Sequence, residues 1–149
     1  MAVLREHPYG RFNFLVDLGT GNTDGPDAGF QECSAIGTEV AVVEYRNGND
    51  RENAARKLPG LTKVADVTLK RGVVGSLALS EWIRAVRDGT VERRNVTIQL
   101  VAEDRSGAVM TWRLLRAFPV KYVAGPLNAQ ANEVAMEELT LSYERLELE

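Results

Sequence analysis

One cysteine and one histidine are all that 149 residues offer of the two side chains most often recruited to bind metals or attack substrates. With Cys33 alone, no intrachain disulfide can form, and the chain is compatible with a reducing compartment. A zinc site would need carboxylates for most of its ligands, and His7, ahead of Pro8 in an arm interrupted by proline and glycine, has no partner at ligand spacing. No metal site and no cofactor is expected. Cys33 sits among Glu32, Ser34 and Ala35 with no neighbouring cation to lower its pKa, which describes an inert thiol packed as a small apolar residue. The chain also lacks any continuous apolar run of membrane-spanning length, so no membrane anchor is expected. MAVLREHPYGRF has no basic region followed by an apolar one, hence no readable secretory signal, and cytoplasmic production is expected. Positive charge is not in excess either: 18 Lys and Arg face 21 Asp and Glu, for a net charge of −3. That balance disfavours electrostatic capture of a phosphate backbone. The basic pairs Lys70-Arg71 and Arg93-Arg94 have no stacking aromatics beside them, so no specific nucleic-acid binding is expected.

What the chain does have is period-two alternation. Phe12, Phe14, Val16 and Leu18 fall on one face of a first strand, followed by a Gly, Asp and Asn-rich hairpin loop from Gly19 to Gly29. That loop is no phosphate cradle, because the spacing and the Lys-Ser/Thr of such a motif are missing. Phe30 to Tyr45 is a second extended region, and Arg46 to Lys57 reads as a polar, mixed-charge loop. Pro59-Gly60 signals a turn, after which Val64 to Arg71 forms a strand with Val67 and Leu69 on one face and Asp66, Thr68 and Lys70 on the other. The period then changes. Leu79, Trp82, Ile83 and Val86 make one helical stripe, predicting a helix over 76–88 that plugs a sheet, with Ser76 or Ser80 at its start and Gly89 as its left-handed stop. Arg93 to Glu103 and Ala108 to Pro119 make a hairpin about Asp104-Arg105-Ser106-Gly107, and Pro119 suggests where the second strand ends. Glu133 to Glu144 is the last predicted strand, and a bulge near Glu137-Glu138 would explain its change of apolar parity. The fold class expected is α+β and mainly β: an antiparallel sandwich or partly rolled barrel with one short helix.

Candidate chemistry is thin. Glu133, Glu137 and Glu138 could pair as general acid and base if burial separated their pKa values. In an acidic run near a terminus, a solvated or pore-lining face is the expected role, and no catalytic residue is assigned.

Six strings in order carry more than this. They are KLPGLTK (57–63), TLKRG (68–72), the short helix with Trp82-Ile83 at its centre, DGTVERRN (88–95), WRLLRAFPVKY (112–122) and LNAQANEVAMEELTLSYERLELE (127–149). Their order and spacing, over nearly the whole chain, resemble the tail tube proteins of contractile injection systems: contractile phage tails, extracellular phage-tail-like particles and, more distantly, the type VI secretion tube subunit. The resemblance implies a single tail-tube domain over 1–149 and a non-enzymatic, structural subunit. Six copies would close a ring whose inner strands form one continuous barrel, and rings would stack into a hollow tube driven through a target envelope by sheath contraction. It also implies partners: further copies of the chain, a sheath protein, baseplate or hub tube-initiator proteins, tube-terminating caps and effector cargo in the lumen. Arg46, Asn49, Asp50, Arg51, Glu52, Arg56 and Lys57 would then contact the neighbouring ring, and Lys70, Arg71, Arg93 and Arg94 would form ion pairs with adjacent subunits. Strand faces around Thr68, Lys70, Thr97 and Gln99 are candidates for lumen or interface. Two alternatives stay open: a tube-initiator paralogue of the same fold, or a monomeric β-barrel carrying a small ligand.

Overall fold

The computed structural model describes residues 2–149. Its strands are β1 (Phe14–Asp17), β2 (Glu32–Cys33), β3 (Thr38–Tyr45), β4 (Arg56–Val64), β5 (Val67–Gly72), β6 (Arg94–Val101), β7 (Ala108–Ala124), β8 (Met136–Ser142) and β9 (Arg145–Leu148), with one α-helix among the described residues, α1 (Ala78–Arg87), and one short 3-10 turn at Pro26–Ala28. The pairing order is β1-β6-β7-β8-β5-β2, antiparallel throughout, with β9 also on β7 and the β3-β4 pair apart from the rest. The sheet stays open, with β1 and β2 at its ends.

The 17 residues of β7 are what turn one sheet into two layers. Its first half pairs with β6 and β9, and its second half, from Phe118 on, pairs with β8. Arg116, at φ 54, and the register shift between Pro119 and Lys121 mark the bend. Bulges of this kind let a strand change direction without losing its pairing. Val16, Val96, Ile98, Leu114 and Ala117 from one layer thereby meet Val67, Leu69, Leu139, Leu141 and Tyr143 from the other in one core cluster. Each large side chain so buried stabilises the fold by roughly 1.5–3 kcal/mol.

The helix closes one side of that core. Leu79 and Trp82 are buried, Ile83 and Val86 half-buried, and the Trp82 indole N–H donates to the Glu92 carbonyl at 2.9 Å. Ser76 Oγ accepts from the Ala78 N–H at 3.2 Å, whereas the Ser80 hydroxyl donates to the Leu77 carbonyl. Gly89, at φ 92, takes the left-handed position after the last turn, which a side chain would resist.

Several sequence expectations need correction. Phe12 lies outside β1 and is exposed, and Gly19 to Gly29 is not a hairpin loop, because β1 pairs with β6 and β2 with β5. The chain crosses there between opposite ends of the sheet, its entry fixed by Asp17 Oδ1 accepting from the N–H groups of Gly19, Thr20 and Gly21. Pro59-Gly60 does not turn the chain but sits inside β4, where the pairing with β3 slips a register. A proline tolerates such a slip because it has no N–H to give the ladder. Gly60 is needed for a different reason, since a Cβ there would come within 3.0 Å of the Ala41 carbonyl oxygen. Arg56 and Lys57 accordingly open a strand rather than close a loop. β7 also runs past Pro119, again at a bulge, and a ninth strand follows the one expected to be last. No bulge occurs at Glu137-Glu138, where the β5-β8 register is unbroken.

Candidate assembly interface

β2 continues into β3, and β4 into β5, so Glu32 to Gly72 is one long hairpin with two fates. Its base, β2 and β5, is built into the sandwich; its outer part, β3 and β4, projects with no other strand against it among the described residues. Every residue of β3 except Ala41 is exposed, and so are Val40, Val42, Val43, Tyr45, Leu58 and Leu61. Both faces of this ribbon carry apolar side chains. A two-stranded hairpin is marginal in water by itself, and an exposed apolar surface of this extent is characteristic of a contact surface.

The ribbon's tip, 46–55, is held by its own polar contacts. Arg46 donates from Nε to the Glu52 carbonyl (3.0 Å) and from Nη2 to the Asp50 carbonyl (2.9 Å), while Asp50 accepts from the Asn47 N–H and pairs with Arg56 at 3.1 Å. Tyr45 also hydrogen-bonds Asn47. Asn49, Arg51, Glu52 and Lys57 are exposed. This is an ordered tip, with its charges turned outward.

The basic residues singled out in the sequence have separate surroundings. Arg71 is not available to a neighbour: it is 1% exposed and donates from Nε to Glu137 Oε1 at 2.6 Å. Its Nη1 donates to the Asp27 carbonyl at 2.9 Å, and its guanidinium lies over the Phe30 ring. Glu137 is buried too, and its second oxygen accepts from the Tyr122 hydroxyl at 2.5 Å, a bond that, with burial, raises the Tyr122 pKa above its ordinary value. The solvated or pore-lining role expected of Glu137 is therefore overturned. Both Glu137 oxygens are matched, whereas Arg71 keeps its Nη2 buried without a partner among the described residues; removing either member of the pair strands the other. The remaining basic residues are partly exposed and paired within the chain: Lys70 with Glu138 (3.4 Å) and Glu32 (4.0 Å), Arg93 with Glu144 (3.3 Å), Arg94 with Glu92 (3.1 Å). Arg93 stacks over Phe118 and Arg94 over Trp82.

On the outer face of the β5-β8 layer, Thr68 and Thr140 share a hydrogen bond at 3.1 Å beside the Glu32-Lys70-Glu138 row, so that face is polar and its one ammonium lies between two carboxylates. Cys33 turns inward, and burial pushes its thiol pKa up to about 11, far from nucleophilic use.

A final feature lies beside α1. β6 pairs with β7 only as far as Ala117, so from Phe118 to Ala124 the edge of β7 away from β8 has no strand against it among the described residues. Between that edge and the helix is a groove of about 670 Å³, lined by Ile83, Val86, Phe118, Val120 and Tyr122 with Arg84 and Arg87 at the helix side. No helix among the described residues is long and apolar enough to cross a membrane.

Comparison with known proteins agrees with this architecture. The family model described as T4-like virus tail tube protein gp19 matches residues 10–147. A chain in the sheath-tube complex of the PVC extracellular contractile injection system, in its extended state, superposes with a TM-score of 0.83 at 28% identity, covering 97% of this chain and 93% of that one. A chain in the tube-terminating cap of the anti-feeding prophage gives 0.83 at 27% identity, covering 100% of this chain and 95% of that one. Hcp1 from Flavobacterium johnsoniae shares the fold at 14% identity, with a TM-score of 0.58 and coverage of 91% and 93%. No curated protein sequence matches the chain.

Proposed function

Because the chain belongs to the T4-like virus tail tube protein gp19 family and is a structural tube subunit, we propose that its activity is self-assembly into the inner tube of a contractile, phage-tail-like particle. The projecting β3-β4 ribbon carries this reading: it is a surface the subunit exposes on both faces and cannot cover from within. Copies joined head to tail close into rings when the rotation permits, and a second, non-closing contact stacks those rings into a filament. Six copies per ring is the expected number, as in the baseplate of the anti-feeding prophage, which was symmetrised six-fold.

In this arrangement the ribbon tip, with Arg46, Asn49, Asp50, Arg51, Glu52, Arg56 and Lys57, reaches the next ring, and Arg93 and Arg94 exchange ion pairs with adjacent subunits. The face bearing Thr68, Thr140 and the Glu32-Lys70-Glu138 row lines the lumen, a polar wall with a slight excess of negative charge past which effector cargo would travel. Sheath, cap and baseplate proteins are the proposed partners, since similar chains occur in a sheath-tube complex, a tube-terminating cap and a baseplate. The subunit acts mechanically and catalyses nothing. Assembly takes place in the producing cell's cytoplasm.

Concentrated purified protein, viewed by negative-stain electron microscopy and sedimented, is expected to yield six-fold rings and tubes. A chain that stays monomeric up to millimolar concentration would overturn this function.

A further inference from the structure

We propose that the groove between α1 and the second half of β7 is the receptor for the β3-β4 ribbon of a second copy, with the free edge of β3 pairing antiparallel to Phe118–Ala124. The inference rests on the tube reading and adds to it which two surfaces meet.

Four observations converge on this pairing. First, the layer β7-β8-β5-β2 has two unfinished margins on opposite sides: the β2-β3 line at one end and Phe118–Ala124 at the other. Unpaired backbone donors and acceptors at a sheet edge are a template for another strand. Second, strand direction alternates across that layer, so β2-β3 runs with β8 and against β7. Rotating one copy beside another brings the two margins together antiparallel, and the layer then continues from subunit to subunit. Third, the apolar surfaces are complementary. Val40 and Val42 on β3 are 53% and 62% exposed, uncovered by any described residue of their own subunit, and the groove offers Ile83, Val86, Val120 and Tyr122 beside the free edge. Fourth, the β3 margin itself is acidic. It carries Glu39 and Glu44, while Lys63, Lys57 and Arg56 stand on β4, the strand farther from the seam, and the charged groups lining the groove are Arg84 and Arg87.

The ribbon cannot reach its own groove by a simple bend. It leaves the body beside Gly37 and Ala65, joined there by an Ala65 N–H to Gly37 carbonyl bond of 3.0 Å, on the β2 side of the layer, with β5 and β8 between it and β7. A contact between two different surfaces of one chain is heterologous, the geometry that makes rings.

The test uses the full chain with Cys33→Ser. Single cysteines at Val40, Ala41 or Val42 in one tagged preparation are mixed with single cysteines at Val120, Lys121 or Val123 in another, assembled and oxidised. At least one pairing is expected to yield a covalent dimer carrying both tags, since facing strand positions fall within disulfide reach. Separately, Arg84→Glu with Arg87→Glu is expected to raise the concentration needed for assembly about tenfold, and an unchanged threshold would count against the seam. Tubes that form with no β3-β7 cross-link in any pairing overturn this seam and leave the tube reading standing. Wild-type protein that never assembles overturns both.

Discussion

β3 and β5 belong to the same hairpin yet end in opposite environments, and the more apolar of the two is the exposed one. TEVAVVEY, in β3, has five apolar side chains and leaves seven of its eight residues exposed. VTLKRG, in β5, contains a lysine and an arginine, and its burial alternates without a break. Val67 and Leu69 are 0% exposed because Leu139 and Leu141 on β8 complete their face and the opposite layer closes over it. Nothing among the described residues does that for Val40 or Val42. Burial is thus a property of what lies opposite a strand, and a strand's own hydrophobicity says only that it needs covering. On the proposed assembly, that need is met by the next copy.

The sharpest way to break this contrast is at its buried end. Arg71→Met leaves Glu137 in the core without its cation, with only Tyr122 as a partner. Loss of one member of such a pair is expected to cost about 3–5 kcal/mol in urea unfolding of the dissociated subunit. Adding Glu137→Leu should recover much of that loss, because the stranded charge is gone and the apolar face of β8 becomes continuous. An Arg71→Met subunit within about 1 kcal/mol of wild type would mean that burial in β5 does not depend on the pair.

At the exposed end the effect should fall on assembly and spare the fold. Val40→Ser with Val42→Ser removes apolar surface that the isolated subunit never buries, so its unfolding midpoint should stay within the range of ordinary surface changes, about 0.5 kcal/mol each. Sedimentation of the same protein should show no rings or tubes. Loss of subunit stability by 2 kcal/mol or more would place the ribbon inside the cooperative unit of the fold and erase the distinction drawn above.

Much of the body was legible in the sequence because its alternation is strong: the phase of Val67 and Leu69, the β6-β7 hairpin and the helix all follow from periodicity. The Arg71-Glu137 pair was missed because charge was taken to mean solvent. Glu137 keeps the phase of Leu139, Leu141 and Tyr143, whereas exposed Val134 precedes the strand, so the apparent change of parity is a carboxylate standing at a core position. The signal was available: Arg71 shares the phase of Val67 and Leu69, and two opposite charges in phase on the apolar faces of two strands imply each other. Pro59 and Pro119 misled for another reason, since a proline in a strand looks like an end until a bulge excuses it from the ladder. Which edges stay free, and where the groove falls, depend on which strands pair, and no local pattern encodes that.

The N-terminal arm lies between these extremes, a segment outside the deep core whose contacts within the subunit centre on one carboxylate. The Val3 N–H donates to the Val109 carbonyl at 2.9 Å, and Glu103 gathers the rest: Arg5 donates to both its oxygens, at 2.7 and 3.0 Å, and the Gly10 N–H donates at 2.7 Å. The Arg5 hydrogen bond, then that from Gly10, hold the Glu103 carboxyl down at about 2, against an ordinary value of 4.5. A carboxylate whose pKa is depressed by docking contributes fully above its undocked value and loses that contribution as pH falls through the docked one. The arm should therefore stay docked above about pH 4.5 and release progressively toward pH 2, seen as rising amide exchange at Val3 and Gly10. Because Glu103 is solvent-exposed, the effect should be local, with core amides on β5 and β8 still protected where the arm has begun to exchange. Glu103→Gln at neutral pH should free the arm in the same way without acid, separating this carboxylate from any general effect of low pH. An arm that exchanges no faster in Glu103→Gln than in wild type would show that the backbone contact at Val109 holds it, as a strand is held, and would move this segment to the side of β5.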